Sequence, residues 1–278
     1  MTNKIRRIVA DSSADTLLLE GVEFASAPLK IVTDQKEYVD DEKLDVSAMA
    51  ADLLVYKGRS STACPSVGDW LEAFGEAEEI FCFTITSELS GSYNAAVIAA
   101  QDYEERYPGR RVFVMDTRST GPHMRLILEP VRGCLMQGMT FDQVQESVTT
   151  YGARTGLLFI LESMRNLANN GRVSPLTAKA AGLLGIRAVG QAKEGTLSML
   201  DKCRGQEKAR ESVLRHLAAL GYKGGGVRIS HVDNPAAAEA LRLALTERYP
   251  TAEVQVYPAR GLCSFYAERG GLLIGYEK

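Results

Sequence analysis

Residues 80–92 read IFCFTITSELSGS, an apolar run followed by a loop of hydroxyl side chains. The run Ile80–Ile85 does not alternate between apolar and polar residues, which is typical of a strand buried on both faces of a parallel sheet. Ser90 and Gly91 then precede a predicted helix that ends near Arg106, before a Pro-Gly pair. A buried strand that leads through a polar loop into a helix is the building unit of an α/β fold.

Two other apolar strands that end in polar loops flank this stretch. Ile5–Ala10 is a short apolar run that ends in Asp11-Ser12-Ser13, and Arg111–Met115 ends in Asp116 before a helical stretch. We therefore predict an N-terminal parallel-sheet α/β/α domain. Four other segments of this half have a predicted structure. The stretch Phe24–Thr33 is extended and is interrupted by Pro28, and Val46–Tyr56 is a helix. A second helix is capped by Ser66, with Asp69 three residues later, and a third runs through Leu135 with a kink or break at Pro130.

The second half has a different order of elements. Ile186–Val189 and Thr196–Leu200 form a predicted hairpin, and β-α-β segments follow it, so we predict a C-terminal mixed-sheet α/β domain with helices on one face. Its other predicted elements are the strands Gly156–Leu161, Gly226–Ser230, Glu253–Tyr257 and Leu272–Tyr276, and the helices Ala178–Leu184, Gln206–Leu220 and Ala236–Tyr249. The predicted boundary divides the chain into domains 1–155 and 156–278.

Composition excludes several classes of function. The chain has 278 residues, with 32 Lys and Arg, 35 Asp and Glu, and a formal net charge of −3. This balance argues against nucleic acid as the main partner, because phosphate contacts need a basic surface. No segment reaches the ~18 apolar residues of a membrane span, and Met1–Arg7 lacks the apolar core of a signal peptide, so we expect a cytoplasmic protein. The five cysteines are scattered without a C-x-x-C pair, so the sequence predicts no metal site, disulfide framework or cofactor.

Four loops rich in hydroxyl side chains follow or link the buried segments. They are Asp11-Ser12-Ser13, Ser61–Ser66, Thr84–Ser92 and Asp116–Ser119. Hydroxyls and the amides of helix N-termini suit an anionic head group such as a carboxylate or phosphate. Each loop taken singly is explained by helix caps, in which Ser, Thr and Asp are common. Because the carboxyl ends of parallel strands share one edge of a sheet, where α/β folds bind ligands, the four loops together favour a binding site.

A small-molecule hydrolase or phosphotransferase is an alternative hypothesis, with Ser90 as nucleophile and His231 as base. Ser90 lies in a Leu-Ser-Gly context that lacks the G-x-S-x-G elbow. His231 follows a strand of the other predicted domain, where a structural role at the strand end is the simpler explanation. Arg172 follows an Asn-Gly turn, and its guanidinium is suited to a carboxylate or phosphate, although an exposed arginine is commonly just solvated.

Seven short motifs occur in order along the chain. They are Asp11–Asp15, Ala27–Leu29 with Tyr38–Asp40, Thr62–Ser66, Thr86–Tyr93, Met115–Ser119, Asn170–Ser174 and Leu183–Val189. Over essentially its full length the chain thereby resembles the DegV family of bacterial fatty-acid-binding proteins. The family's T-S-x-P-S corresponds to Thr62–Ser66, and its S-S-x-L-S-G-T-Y corresponds to Thr86–Tyr93. Each motif is modest by itself, but seven in register are specific.

The resemblance implies two α/β domains with an acyl chain buried between them and the lipid carboxylate held by Thr62 and Ser90. It also implies a non-catalytic carrier of a long-chain fatty acid, which in some members presents that acid to a separate fatty acid kinase subunit. The predicted ligand-binding residues are Thr62, Ser90, Gly91, Ser12, Ser119, Arg172 and Tyr266.

Three departures from the family pattern alter this expectation. Ala63 replaces a serine in the T-S pair, so one hydroxyl is missing. Gly121–Arg125 is bulkier than the family's small-residue segment, which predicts a reshaped pocket. Tyr266 stands where the family's H-T-G-P-G motif has histidine, and a phenol can donate a hydrogen bond but does not change charge near neutral pH.

Overall fold

The first half of the chain is built on a four-stranded sheet. The computed structural model describes residues 4–179 and 185–278. The strands of this sheet, in order across it, are β2 (Glu23–Ala27), β1 (Arg6–Asp11), β6 (Glu79–Thr84) and β7 (Arg111–Asp116). All neighbouring pairs are parallel, which confirms the predicted parallel sheet.

Helices cover both faces of this sheet, as the non-alternating strands predict. Helices α2 (Val67–Phe74) and α3 (Ser92–Arg106) pack on the face that carries Val9 and Cys82. Helices α4 (Pro122–Met136) and α5 (Phe141–Gly152) pack on the opposite face, against Ile8 and Phe81. Ser66 caps α2 in a capping box with Asp69, as predicted. Pro130 lies inside α4, which continues to Met136, so the proline does not end the helix.

A second, smaller sheet was not predicted. Strands β3 (Lys30–Val32), β4 (Glu37–Val39) and β5 (Ser61–Ala63) form it in the order β4-β3-β5, with helix α1 (Val46–Val55) between β4 and β5 in the chain. Three-residue strands are too short to show a period of two, so the sequence pattern carries no signal for them. The extended stretch predicted at Phe24–Thr33 splits between β2 and β3 at Pro28, as expected.

The second half forms a six-stranded mixed sheet, as predicted. Across the sheet the strands are β10 (Thr196–Arg204), β9 (Ile186–Lys193), β8 (Thr155–Leu161), β13 (Leu272–Glu277), β11 (Gly226–His231) and β12 (Glu253–Pro258). Only β11 and β12 pair in parallel within this sheet. The helices of this half are α6 (Arg165–Asn169), α7 (Pro175–Lys179), α8 (Gln206–Ala219), α9 (Pro235–Arg248) and α10 (Gly261–Ala267). Residues 180–184 of the predicted helix Ala178–Leu184 lie outside the described residues.

The two faces of the mixed sheet differ in what covers them. Helices α8 and α9 pack on one face, around a core that includes Ile229 and Ile274. Helix α4, from the first half of the chain, lies against the other face, so the prediction of helices on one face was incomplete. Gly275 permits this approach, because a Cβ there would lie 2.6 Å from the backbone nitrogen of His123. The buried Arg228 on β11 forms an ion pair with the partly exposed Glu129 on α4, so a charged contact joins the two halves.

Across residues 4–179 and 185–278, none of the helices combines the length and the apolar character that crossing a bilayer requires.

Candidate functional site: a cavity between the two sheets

A cavity of about 330 Å³ lies between the two halves of the chain, and we call it the central cavity. Its size falls in the range of small-molecule binding sites, ~300–1,000 Å³. Leu29 and Ile85 of the first half form part of its wall. Phe159, Leu197 and Leu273 of the mixed sheet form part of the opposite wall. Because most of this wall is apolar, the cavity suits a hydrocarbon ligand.

Two predicted site residues meet at the cavity wall, although 204 positions separate them in the chain. The hydroxyls of Thr62 on β5 and Tyr266 on α10 are 2.7 Å apart and share a hydrogen bond. Burial raises the pKa of Tyr266 above its ordinary range, while Thr62 and the charge of Arg172 oppose this shift. The phenol therefore remains a neutral hydrogen-bond donor at physiological pH. After their mutual hydrogen bond the pair has one hydrogen left to donate to an anion, and it carries no negative charge that would repel one.

Ser90 lines the same cavity at the end of a loop that a buried carboxylate organises. Asp11, at the end of β1, accepts hydrogen bonds from the Ile85 amide at 2.8 Å and the Ser92 hydroxyl at 2.6 Å. The loop between these residues is thereby held over the carboxyl edge of the parallel sheet. The Ser90 oxygen accepts from the Ser92 amide at 3.3 Å, which closes a turn just before α3, and Ser90 also lines the cavity. Its hydroxyl hydrogen remains available to a ligand oxygen.

Arg172 also lines the cavity, and it bridges the two halves. Its Nε donates to the Leu89 carbonyl at 3.2 Å, and its Nη1 donates to the Asn170 carbonyl. These bonds hold the guanidinium beside the loop that carries Ser90. A guanidinium has five N–H donors, so an arginine with two described bonds retains donors and a full positive charge for an anion.

The hairpin of β9 and β10 forms another part of the wall, and its tip touches the Ser90 loop. Thr86 Oγ1 donates to the Gly195 carbonyl at 2.9 Å. Glu194 and Gly195 both have positive φ, at 50° and 82°, as a two-residue type I′ turn requires. Only glycine fits at the second position, because a Cβ there would lie 2.5 Å from Thr86 Oγ1. The predicted hairpin is therefore confirmed, and its turn closes one side of the cavity.

Helix α10, which carries Tyr266, was missed by the sequence analysis. The apolar positions Leu262, Phe265 and Tyr266 have helical spacing, which is the signal that could have found it. Two buried carboxylates from the first half hold its start. Asp40 accepts from the amides of Gly261 and Leu262 at 3.1 and 2.9 Å. Asp15 accepts from the Arg260 amide at 2.9 Å.

The C-terminal end of α10 is held by the mixed-sheet half. The Glu268 carboxylate accepts from the Asn166 amide and the Ser163 hydroxyl, each at 3.0 Å. The Asn166 side chain in turn donates to the Phe265 carbonyl at 2.8 Å. Both ends of α10 are thus fixed, and Tyr266 is fixed with them.

The remaining predicted site residues divide into two groups. Gly91 and Ser119 line the cavity. Ser12 is buried elsewhere, where its hydroxyl accepts from the Leu29 amide at 3.0 Å, so the structure gives it a role in the fold rather than at the cavity.

The three histidines all have partners away from Ser90. His123 bonds Thr155, His216 bonds Asp201, and His231 accepts from the Asn234 amide. None of them is among the described residues that line the cavity. The structure therefore does not bring Ser90 together with His231 as a nucleophile and base.

Comparison with known proteins gives consistent matches over almost the whole chain. The family model for uncharacterised proteins of the DegV family matches residues 6–278. A DegV domain-containing protein of Streptococcus pneumoniae is 40% identical over 276 residues, which cover 98% of each chain.

Solved structures match equally well. A DegV family protein from Eubacterium eligens loaded with heptadecanoic acid is 44% identical, with a TM-score of 0.96 and coverage of 98% of this chain and 99% of that one. The Streptococcus pneumoniae fatty acid kinase (Fak) B3 protein loaded with linoleic acid is 39% identical, with the same TM-score and the same coverage.

Proposed function

Because this chain belongs to the DegV family, we propose that it binds one long-chain fatty acid in the central cavity, with the carboxylate at Thr62 and Ser90. The observation that carries the proposal is an apolar cavity whose wall includes a group of hydroxyls and two guanidinium groups, those of Arg118 and Arg172. Two solved relatives that share this fold at 39% and 44% identity were crystallised with fatty acids, which supports the same ligand class here.

The apolar tail supplies most of the affinity in this proposal. Each buried methylene contributes about 0.8 kcal/mol, so a dozen contribute on the order of 10 kcal/mol before the entropic losses of binding. The polar end then has only to orient the carboxylate. Thr62 and Ser90 donate hydrogen bonds to the carboxylate, Tyr266 donates to Thr62 and so orients it, and Arg172 supplies the balancing positive charge. Ser119 lines the cavity but is not part of this proposed carboxylate site.

A carrier rather than an enzyme fits this arrangement. The proposed site holds an anion with neutral donors and Arg172, and its wall, which also includes Arg118, has no histidine among the described residues. The hydrolase alternative needs a base beside Ser90, and His231 is engaged elsewhere. We also propose a fatty acid kinase subunit as a partner, since one of the relatives is a fatty acid kinase B3 protein.

The first test is extraction of lipid from the purified protein. We expect mass spectrometry of the organic extract to find a long-chain fatty acid at close to one per chain. Stripped protein should take up added fatty acid again to the same stoichiometry. An extract without lipid, together with no saturable uptake by the stripped protein, contradicts the proposal.

The second test addresses the head group. A hydrogen bond to a charged group contributes about 1.5–3 kcal/mol, so Thr62→Val or Ser90→Ala should weaken fatty acid binding by about 10- to 100-fold. Tyr266→Phe should have a smaller effect, about threefold to tenfold, because Thr62 keeps its own hydrogen for the ligand. Titration with a fluorescent fatty acid measures each affinity.

The matched control is Ser61→Ala, which removes an exposed hydroxyl from the neighbouring position of β5. It should leave the affinity unchanged. Wild-type affinity in both Thr62→Val and Ser90→Ala would remove these residues from the site while leaving the tail-binding part of the proposal intact.

A further inference from the structure

One patch of the cavity wall is polar although it is set among apolar side chains. Ser119 and Thr120 follow β7, and both line the central cavity together with Cys263 of α10. Ser119 is 2% exposed, and within the described part of the chain its hydroxyl has no hydrogen-bond partner. The Thr120 hydroxyl contacts the Cys263 sulfur at 3.5 Å, which is a weak partner. We call these three residues the inner polar patch.

The Ser119 side chain has no evident structural role. The fold uses the backbone of this residue, whose carbonyl accepts from the Thr86 amide at 3.0 Å. A buried hydroxyl without a partner costs free energy, and natural proteins seldom retain one unless water or a ligand satisfies it. Its position on a cavity wall makes a bound molecule the natural partner.

The patch lies a short way inward from the proposed carboxylate site. Cys263 precedes Tyr266 by three residues on α10, which corresponds to about 4.5 Å along a helix. Ser119 and Cys263 are buried, whereas Thr62 and Tyr266 are half-buried, so these two residues of the patch lie deeper than the Thr62–Tyr266 pair. An acyl chain whose carboxylate meets that pair would place its first few carbons beside the patch.

The chemistry of the patch selects a neutral polar group. Two hydroxyls can each donate and accept, which matches an alcohol on the ligand. A second carboxylate is disfavoured because this part of the wall is buried: burial first, and the nearby Asp15 second, raise the pKa of the Cys263 thiol and so disfavour an anion there. A purely hydrocarbon ligand would leave Ser119 unsatisfied.

We propose that Ser119 and Thr120 form a subsite for a hydroxyl group on the acyl chain close to the carboxylate, so that the favoured ligand is a 3-hydroxy fatty acid. This inference rests on the proposed function and names the ligand class within it. The hydroxyl of the ligand accepts from one side chain and donates to the other. Since both lie on one side of the cavity, the subsite binds one enantiomer in preference to the other.

Binding of four acids of equal length tests the subsite. They are hexadecanoic acid, the two enantiomers of 3-hydroxyhexadecanoic acid, and 16-hydroxyhexadecanoic acid. Stripped wild-type protein should bind one 3-hydroxy enantiomer about three- to tenfold more tightly than hexadecanoic acid, as one or two net hydrogen bonds provide. The 16-hydroxy acid should gain nothing, because its hydroxyl lies at the far end of the chain. Calorimetric titration measures each affinity.

Two variants test whether Ser119 and Thr120 form the subsite. Ser119→Ala and Thr120→Val should each reduce the preference for the 3-hydroxy acid to within about twofold, while hexadecanoic acid binds as well as before or better. Thermal unfolding confirms that each variant is folded, and either one is sufficient for the comparison.

The outcomes separate this inference from the proposed function. If hexadecanoic acid binds wild type and no hydroxy acid is preferred, an ordered water satisfies Ser119 and the subsite is refuted while fatty acid binding stands. A preference that survives in both variants also refutes it. If none of the acids binds, the proposed function itself has failed.

Discussion

Replacing Ala192 by tryptophan will reduce long-chain fatty acid binding by about 100-fold or more. Ala192 lies on β9, and its side chain lines the central cavity opposite Leu29 and Ile85. An indole placed there occupies space that the acyl chain needs. Displacing about four methylenes costs about 3 kcal/mol, which corresponds to a factor of about 100 in affinity. The measurements are fatty acid stoichiometry after purification and the dissociation constant of the stripped protein.

Ala219→Trp is the matched control, since this alanine is exposed near the end of α8. It introduces the same side chain without entering the cavity, and lipid binding should stay as in wild type. Thermal unfolding of both variants separates loss of binding from loss of fold. A folded Ala192→Trp protein that still carries one fatty acid per chain at wild-type affinity would show that the tail binds elsewhere.

Stability should fall as the pH rises from 5 to 8, and Asp15 should account for much of this fall. Burial raises the pKa of Asp15 from 3.8 to about 7, although the hydrogen bond from the Arg260 amide opposes the shift. Between these two values the folded chain keeps a proton that the unfolded chain has lost. The carboxyl therefore contributes its full stability below about pH 4 and loses it as the pH approaches 7.

Asp15→Asn tests this linkage with a side chain of the same shape that does not titrate. Its carbonyl oxygen can still accept from the Arg260 amide, and its NH2 replaces the oxygen that has no partner among the described residues. The free energy of unfolding of the variant, relative to wild type, should increase by about 2–3 kcal/mol between pH 5 and pH 8. Urea denaturation at several pH values measures this difference.

Asp142→Asn is the control, because this carboxylate is largely exposed and pairs with Arg111 at the surface. Its pKa is lowered by that arginine, so any pH dependence that it adds has the opposite sign. Wild-type and Asp15→Asn profiles that run parallel from pH 5 to pH 8 would refute the assignment to Asp15.

The sequence predicts most of the elements that are long and buried. Ile80–Ile85 and Gly156–Leu161 were placed to within one residue at each end, because a continuous apolar run bounded by polar residues identifies a strand. Strands β4 and β5 and the helices α5, α6 and α10 were missed. Apart from the twelve-residue α5, these elements have three to seven residues, and distant side chains such as Asp40 at the start of α10 hold them in place.

The sequence identified some of the cavity-lining residues correctly and misplaced others. The motifs around Thr62, Ser90 and Arg172 identified the residues that line the cavity, because each sits in a loop with a recognisable pattern. Ser12 has the same residue type in the same kind of loop, yet its hydroxyl is used by the Leu29 amide. Residue type and position in a loop do not show which way a side chain points.

The sequence by itself determined the α/β class, the mixed second sheet and the family, because these follow from local periodicity and from motifs in order. The tertiary structure alone decided that Thr62 and Tyr266 touch and that Ser119 lies on the cavity wall without a partner among the described residues. It also decided that Asp15 is buried deeply enough for its pKa to rise to about 7. The physical reason is that burial and contact between distant segments depend on how the two sheets pack around α4 and α10, and no local pattern records that packing.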